Sequence, residues 1–430
     1  MDHHQLWVPH EFAIHTFRIV MLSIQPQYSY TVVETLMSHL DQSTSAKTKT
    51  SLAVVLSKII AIAAGESVGP SALDIINNLL TLLRDSVSSK TPIMGQYQEN
   101  LINALGQFAN HHPDYQKIEI MLFIMNKVPD QSKKSKVDQL LQVILLKSLL
   151  KVSVQYRTVS FDKAFPASFL QPLLKMAKVS HVDTRITVME ILQALLDRHQ
   201  NQNILGVISI KNYQGLTLES PSRSDIIFAN KQVGNLMQAL IESMIMDDHQ
   251  NALESAYTTA ALMIAEMACI DTLQEFLLFI FILQTTALRH DELTPKHKCN
   301  LHRIVISLTA LLGRCVGVYS DYCEKLIERR RAEAPYLLPP LINDEDSPTL
   351  HALNMEFPED LLLNRQALVE CLQSAGIGFN RLQMDTPNAL FQNERRISLI
   401  DGTSLRDGMS ADLTFDIDSV NSSPDVQRVS

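Results

Sequence analysis

The chain has 430 residues, 46% of them apolar and only 6% aromatic, with 13 glycines and 17 prolines. That balance favours helix over sandwich or barrel folds, which draw on more glycine, aromatics and turn dipeptides. Its net charge of −9 sits at one end: residues 341–430 hold six arginines, no lysine and fifteen acids, so the first 340 residues are balanced and present no global basic field for nucleic acid.

Cys269, Cys299, Cys315, Cys323 and Cys371 are odd in number and scattered through apolar runs, the usage of a reduced cytosolic protein and not of a disulfide framework. The opening M‑D‑H‑H‑Q‑L‑W lacks the basic start and apolar stretch of a signal peptide. The most apolar segment, F‑L‑L‑F‑I‑F‑I‑L at 276–283, is far shorter than the about 20 residues a bilayer requires, so no span is expected.

From about residue 11 to 332 apolar residues recur at three- and four-residue steps, the signature of amphipathic helices. In chain order the pattern predicts 12–24 with 29–40, 50–64 with 71–87, 97–110 with 114–128, and 135–155 with 166–178. In the next helix Val182, Ile186, Met189, Leu192 and Leu196 line one face. After an interruption the pattern resumes at 225–247, 251–269, 272–289 and 296–332. A pair takes roughly 40 residues, as in HEAT or armadillo arrays. The expected fold is therefore all-α: a right-handed α-solenoid of helical pairs, with repeats at 1–200 and 225–340. Residues 201–224 alternate and are β-branched, which reads as an extended surface insertion. Residues 341–430 accumulate Pro, Ser, Asp and Asn and read as an acidic, mostly disordered tail with one helix at 358–374.

A‑G‑E‑S‑V‑G‑P (64–70) contains the G‑x‑S‑x‑G of a nucleophile elbow, which makes Ser67 a candidate catalytic serine. An elbow needs a strand before the serine and a sheet around it, whereas the preceding segments read as helices. Gly65 suits a helix C-terminus and Gly69‑Pro70 a restart, so the turn reading is preferred. His290, His297, Cys299 and His302 do not match a zinc spacing, and that stretch reads as a solvated turn entering a helix, as does His111‑His112. No phosphate-cradling loop, paired-carboxylate motif or C‑x‑x‑C is present, and no cofactor is expected. Basic clusters occur at Lys47 with Lys49, at Lys133, Lys134 and Lys136, and at Arg329, Arg330 and Arg331. The arginines suit a helix C-terminus. The last two clusters are also candidate contacts for anionic lipid or a partner. Arg395‑Arg396‑Ile397‑Ser398 makes Ser398 a candidate phosphosite.

Seven stretches resemble, in family order, the Eighty-five-Requiring (rolling blackout) proteins. They are R‑I‑V‑M‑L‑S‑I‑Q‑P‑Q‑Y‑S (18–29), A‑I‑A‑A‑G‑E‑S‑V‑G‑P (61–70), P‑D‑Y‑Q‑K‑I‑E‑I‑M‑L‑F‑I‑M‑N‑K‑V‑P (113–129), S‑F‑L‑Q‑P‑L‑L (168–174), L‑L‑D‑R‑H‑Q‑N (195–201), E‑A‑P‑Y‑L‑L‑P (333–339) and R‑R‑I‑S (395–398). The resemblance implies a non-enzymatic helical-repeat scaffold, peripheral on the cytoplasmic face of the plasma membrane. It further implies recruitment of phosphatidylinositol 4-kinase III alpha through a tetratricopeptide-repeat partner and a hyccin-type subunit, in support of phosphoinositide synthesis, with weak contact to an anionic membrane surface and none to nucleic acid. Family members have also carried a lipase label, to which the run at Ser67 corresponds. They begin with an acylated, cysteine-rich segment and are longer than this chain, whose first cysteine is Cys269. A fragment or short isoform is expected, cytosolic if the acylated segment is absent.

Overall fold

The computed structural model describes residues 10–25, 28–64, 70–88, 91–129, 135–210, 213–341 and 357–378. The helices run α1 His10–Ser23, α2 Ser29–Gln42, α3 Ala46–Ala64, α4 Pro70–Ser86, α5 Pro92–Asn110, α6 Asp114–Met125 and α7 Lys136–Ser153. They continue with α8 Phe161–Ala164, α9 Ala167–Met176, α10 Val182–Leu196, α11 Gln202–Leu205, α12 Arg223–Met246 and α13 Gln250–Met267. The series ends with α14 Leu273–Arg289, α15 Pro295–Val316, α16 Ser320–Glu333 and α17 Arg365–Ser374. Among the described residues there is no strand.

Local chemistry starts these helices where the sequence places them. Ser135 caps α7 by accepting from Val137 N, with Asp138 in the first turn and Lys151 in the last, each suited to its end of the helix dipole. Ser222 accepts from Asp225 N at 3.2 Å and returns its hydroxyl to Asp225 Oδ2 at 2.8 Å, a reciprocal cap on α12. Thr294 caps α15 through His297 N, with Pro295 in the first turn where its missing N–H removes nothing.

The helices stack in two rows. α1, α3, α5, α7, α10, α13 and α15 pack successively side by side in one row, and α2, α4, α6, α9, α12 and α14 in the other. α16 closes the end against α15. Each pair buries one continuous apolar interior running from Ala13 and Met21 through Leu105, Leu149 and Ile264 to Leu308 and Leu372. Stacking is what stabilises such a chain, since a single pair cannot cover its own apolar face. At Gly106 a Cβ would lie 3.0 Å from Lys151 Cβ, so the close approach of α5 and α7 depends on glycine there. Among the described residues α15 is the one helix long and apolar enough to cross a membrane, yet 78% of that stretch is buried inside the fold. It is covered by α13, α14 and α16.

Three sequence expectations need correction. The element expected at 296–332 is two helices, because Gly317 (φ 73°) and Tyr319 (φ 51°) turn the backbone left-handed between α15 and α16. Residues 201–224, expected as an extended surface insertion, match that only in part: 217–220 are exposed and carry no helix. The segment begins with the single turn α11, buries Leu205 and Ile208, and sends Tyr213 Oη to the carbonyl oxygens of Ser209 (3.1 Å) and Ser307 (3.2 Å). The turn at His111‑His112 is only half solvated: His112 is buried, edge-on to Phe108 at 4.7 Å. The tail beyond residue 378, with Ser398, lies outside the described residues.

Candidate interface on one edge of the helical stack

Because alternate helices run antiparallel, the connections fall on two opposite edges. The first edge carries the links α1–α2, α3–α4, α5–α6, α7–α9, α10–α12, α13–α14 and α15–α16. The second carries α2–α3, α4–α5, α6–α7, α9–α10, α12–α13 and α14–α15. Cross-links confirm the assignment: Lys117 Nζ donates to Gln155 O (2.8 Å) on the first edge, and His297 Nε2 lies 2.7 Å from Met244 O on the second.

The second edge gathers basic side chains that are far apart in sequence. Lys47 and Lys49 stand at the α2–α3 link, Arg84 at α4–α5, Lys127 and Lys136 at α6–α7, and Lys175 and Lys178 at α9–α10. Lys178 is tied to Glu242 at 3.0 Å, and Lys127 lies over the Phe123 ring at 5.2 Å. Acids share this edge: Asp41, Asp85, Asp138 and Asp183 stand at the same helix ends as these cations, and further along Asp247, Asp248, Asp291 and Glu292 stand beside Arg289, Lys296 and Lys298. The expected contacts Lys136, Arg329 and Arg331 belong to this edge, while Lys133 and Lys134, in the α6–α7 link, lie outside the described residues. Recognising Lys175, Lys178 and Arg84 as part of one surface requires knowing that every second link shares an edge.

Arg330 is a correction. It is fully buried, and its guanidinium donates to Leu361 O (Nε, 2.8 Å), His302 O (Nη1, 3.3 Å) and Leu337 O (Nη1, 3.2 Å). Burial lowers its pKa to about 10, which leaves it charged at neutral pH. With residues 357–378 in place it faces no lipid; it clamps three backbone segments together. Arg303 does the same nearby, donating to Tyr336 O at 2.8 Å and to Pro340 O.

A second clamp lies on the first edge. Arg198 donates to Glu266 Oε2 (2.9 Å) and Asp225 Oδ2 (2.9 Å), with its guanidinium 4.3 Å above the Phe161 ring. Burial alone would raise the Asp225 carboxyl, but hydrogen bonds from Arg198, Ser222 and Phe161 N hold it below its ordinary pKa. His199 bridges Glu266 (2.9 Å) and Glu219 (3.2 Å). Burial pulls its imidazole down, and the hydrogen bonds and charges of Glu266 and Glu219 outweigh that and raise it.

The histidines and cysteine near residue 300 form no metal site; among the described residues no three potential ligands gather. They are not a solvated turn either. His297, Cys299 and His302 are buried in the first half of α15. Ser67 lies outside the described residues, between α3 and α4 in the sequence. It is flanked by helices on both sides, so the strand that an elbow requires is replaced by α3.

A family model described as EFR3, armadillo repeat, matches residues 1–373. The chain belongs to the EFR3 family. The Drosophila melanogaster protein EFR3 homolog cmp44E is 60% identical over 442 residues, covering 99% of this chain and 53% of that protein. The Caenorhabditis elegans EFR3 homolog is 35% identical over 418 residues (89% and 48%), and Homo sapiens EFR3 homolog A 31% over 447 residues (94% and 54%). The chain thus spans about half the length of the curated relatives it matches. No solved structure matches.

EFR3 is described by its repeat architecture, and that description names no reaction. Two stretches that carry the resemblance are the clamps just described. In L‑L‑D‑R‑H‑Q‑N, Asp197 accepts from Asn201 N (2.7 Å) and Gln202 N (2.9 Å), and Asn201 pairs with both backbone groups of Thr217. Gln200 takes φ 59° to make the turn. E‑A‑P‑Y‑L‑L‑P is the segment held by Arg303 and Arg330.

Proposed function

We propose that this EFR3-family chain is a scaffold that helps hold phosphatidylinositol 4-kinase III alpha at the cytoplasmic face of the plasma membrane, through a tetratricopeptide-repeat partner and a hyccin-type subunit. The observation that carries the membrane part of this reading is the basic second edge from Lys47 to Lys178. A stack of packed helices holds these side chains at fixed spacing, and each basic residue near an anionic leaflet contributes about 1 kcal/mol. Family membership and the helical-pair architecture support the scaffold part, since stacked repeats offer long surfaces and require no reaction chemistry.

The test is a pull-down from cytosol with the purified chain as bait. The tetratricopeptide partner and the kinase should be enriched over a bait whose exposed helix-face residues are scrambled. Equal recovery on both baits contradicts the reading.

A further inference from the structure

Residues 357–378 are connected to the last repeat by fifteen residues, 342–356, and return to lie across α14, α15 and α16. Side chains of the stack grip the main chain of the returning segment. Gln284 takes both backbone groups of Leu363: Nε2 donates to Leu363 O (3.0 Å) and Oε1 accepts from Leu363 N (2.9 Å). Arg330 Nε donates to Leu361 O at 2.8 Å, and Tyr322 Oη accepts from Asn364 N at 2.8 Å. Arg329 pairs with Asp360, and the Phe357 ring rests 4.7 Å from that of His302.

The apolar contacts follow a matching logic. Leu361, Leu362 and Leu363 are all buried beside these hydrogen bonds. Asn364 then caps α17, whose Leu368 and Leu372, one turn apart, are buried on a single face. Backbone recognition combined with apolar anchors and an amphipathic helix is how receptors hold linear peptides.

We propose that the face of α14, α15 and α16 is a peptide-binding site, occupied in cis by residues 357–378. In trans it takes a segment of another protein with the same chemistry: an acidic residue, a run of leucines, then a capped amphipathic helix. The cis segment is tethered by a link whose effective concentration is on the order of millimolar, so with its own affinity at about 10 μM it weakens any trans ligand by roughly a hundredfold. Release of the cis segment is what opens the site.

The experiment uses the full chain with a protease site placed in 342–356, cut after purification, and a fluorescent synthetic peptide of residues 357–378. The nicked chain should keep its circular dichroism and exchange its fragment for the labelled peptide with saturable binding. Peptide carrying Leu361→Asp and Leu363→Asp should bind at least tenfold more weakly, as should wild-type peptide on a nicked Gln284→Ala chain. The uncut chain should bind the labelled peptide at least tenfold more weakly than the nicked one. Loss of the helical signal when the fragment is diluted away overturns the proposal, because the segment is then an inseparable part of the core. Equal binding of wild-type and doubly substituted peptide, or equal binding by cut and uncut chain, overturns it as well.

Discussion

Arg198 Nε and Glu266 Oε2 lie 2.9 Å apart across 68 residues of sequence, joining the C-terminal ends of α10 and α13. Both groups are largely buried, and Asp225 and His199 complete the cluster. Arg198→Ala leaves two buried carboxylates without their cation, which costs about 3–5 kcal/mol. A chemical-denaturation midpoint should fall accordingly. Arg198→Lys should recover only a minor part, because one ammonium cannot reproduce the fork that reaches both Glu266 and Asp225.

His199 and His302 should tilt the pH dependence of stability in opposite directions. His199 is raised in the fold, so its contribution is fully present below about pH 6.5 and is lost as pH rises through the higher folded value. Melting temperatures of wild type and His199→Gln should therefore differ most below pH 6.5 and converge at alkaline pH.

His302 behaves oppositely. Burial, with the nearby charges of Arg330 and Lys298, lowers it to about 3, and neither ring nitrogen has a hydrogen-bond partner among the described residues. Between about pH 6.5 and 3 the unfolded chain binds a proton that the fold refuses, so stability falls on acidification. His112 and His297 are also lowered, chiefly by burial, and act in the same direction. His302→Leu should flatten the loss of melting temperature between pH 7 and pH 5 without abolishing it.

The outer face of α1 exposes Phe12 (77%), Ile19 and Leu22 (75%), while Ala13 and Met21 pack inward. A helix apolar on two faces is a self-association hazard in water. Changing Phe12, Ile19 and Leu22 together to Gln should raise the concentration at which light scattering appears and leave the melting temperature within about 1 °C, as expected for surface substitutions.

The order of the helices was legible in the sequence because of their apolar period, whereas α3 and α5 start earlier than expected, at Ala46 and Pro92 and not at 50 and 97. Ser135, Ser222 and Thr294 stand where the pattern begins. The single turn between α15 and α16 was not, since Gly317 interrupts an unbroken apolar pattern and only its left-handed backbone reveals the break. Arg330 misled for a related reason: three consecutive arginines look alike in sequence, and helical rotation sends the middle one into the core. The basic second edge could be read only in part. Lys133, Lys134 and Lys136 form a local cluster, but Lys175 and Lys178 join it through the 40-residue repeat, which sequence proximity does not display. Residues 357–378 follow the same rule. Gln284 is an unremarked polar residue in α14 until Leu363 returns to meet it.

Lys47, Lys49, Lys136 and Lys175 are the edge residues whose charge matters most for the membrane reading. Reversing all four to Glu should weaken binding to phosphatidylserine vesicles by at least a hundredfold at low salt, given about 1 kcal/mol per basic residue near the surface. The wild-type affinity should itself drop as ionic strength rises and the Debye length shortens.

The most direct measurement of the scaffold reading is co-flotation of phosphatidylinositol 4-kinase III alpha with phosphatidylserine vesicles in the presence of the tetratricopeptide partner and the hyccin-type subunit. The kinase should float with the vesicles when the wild-type chain is added, and remain at the bottom of the gradient without it or with the four-lysine variant. Kinase that floats equally in all three samples, or in none, contradicts the account.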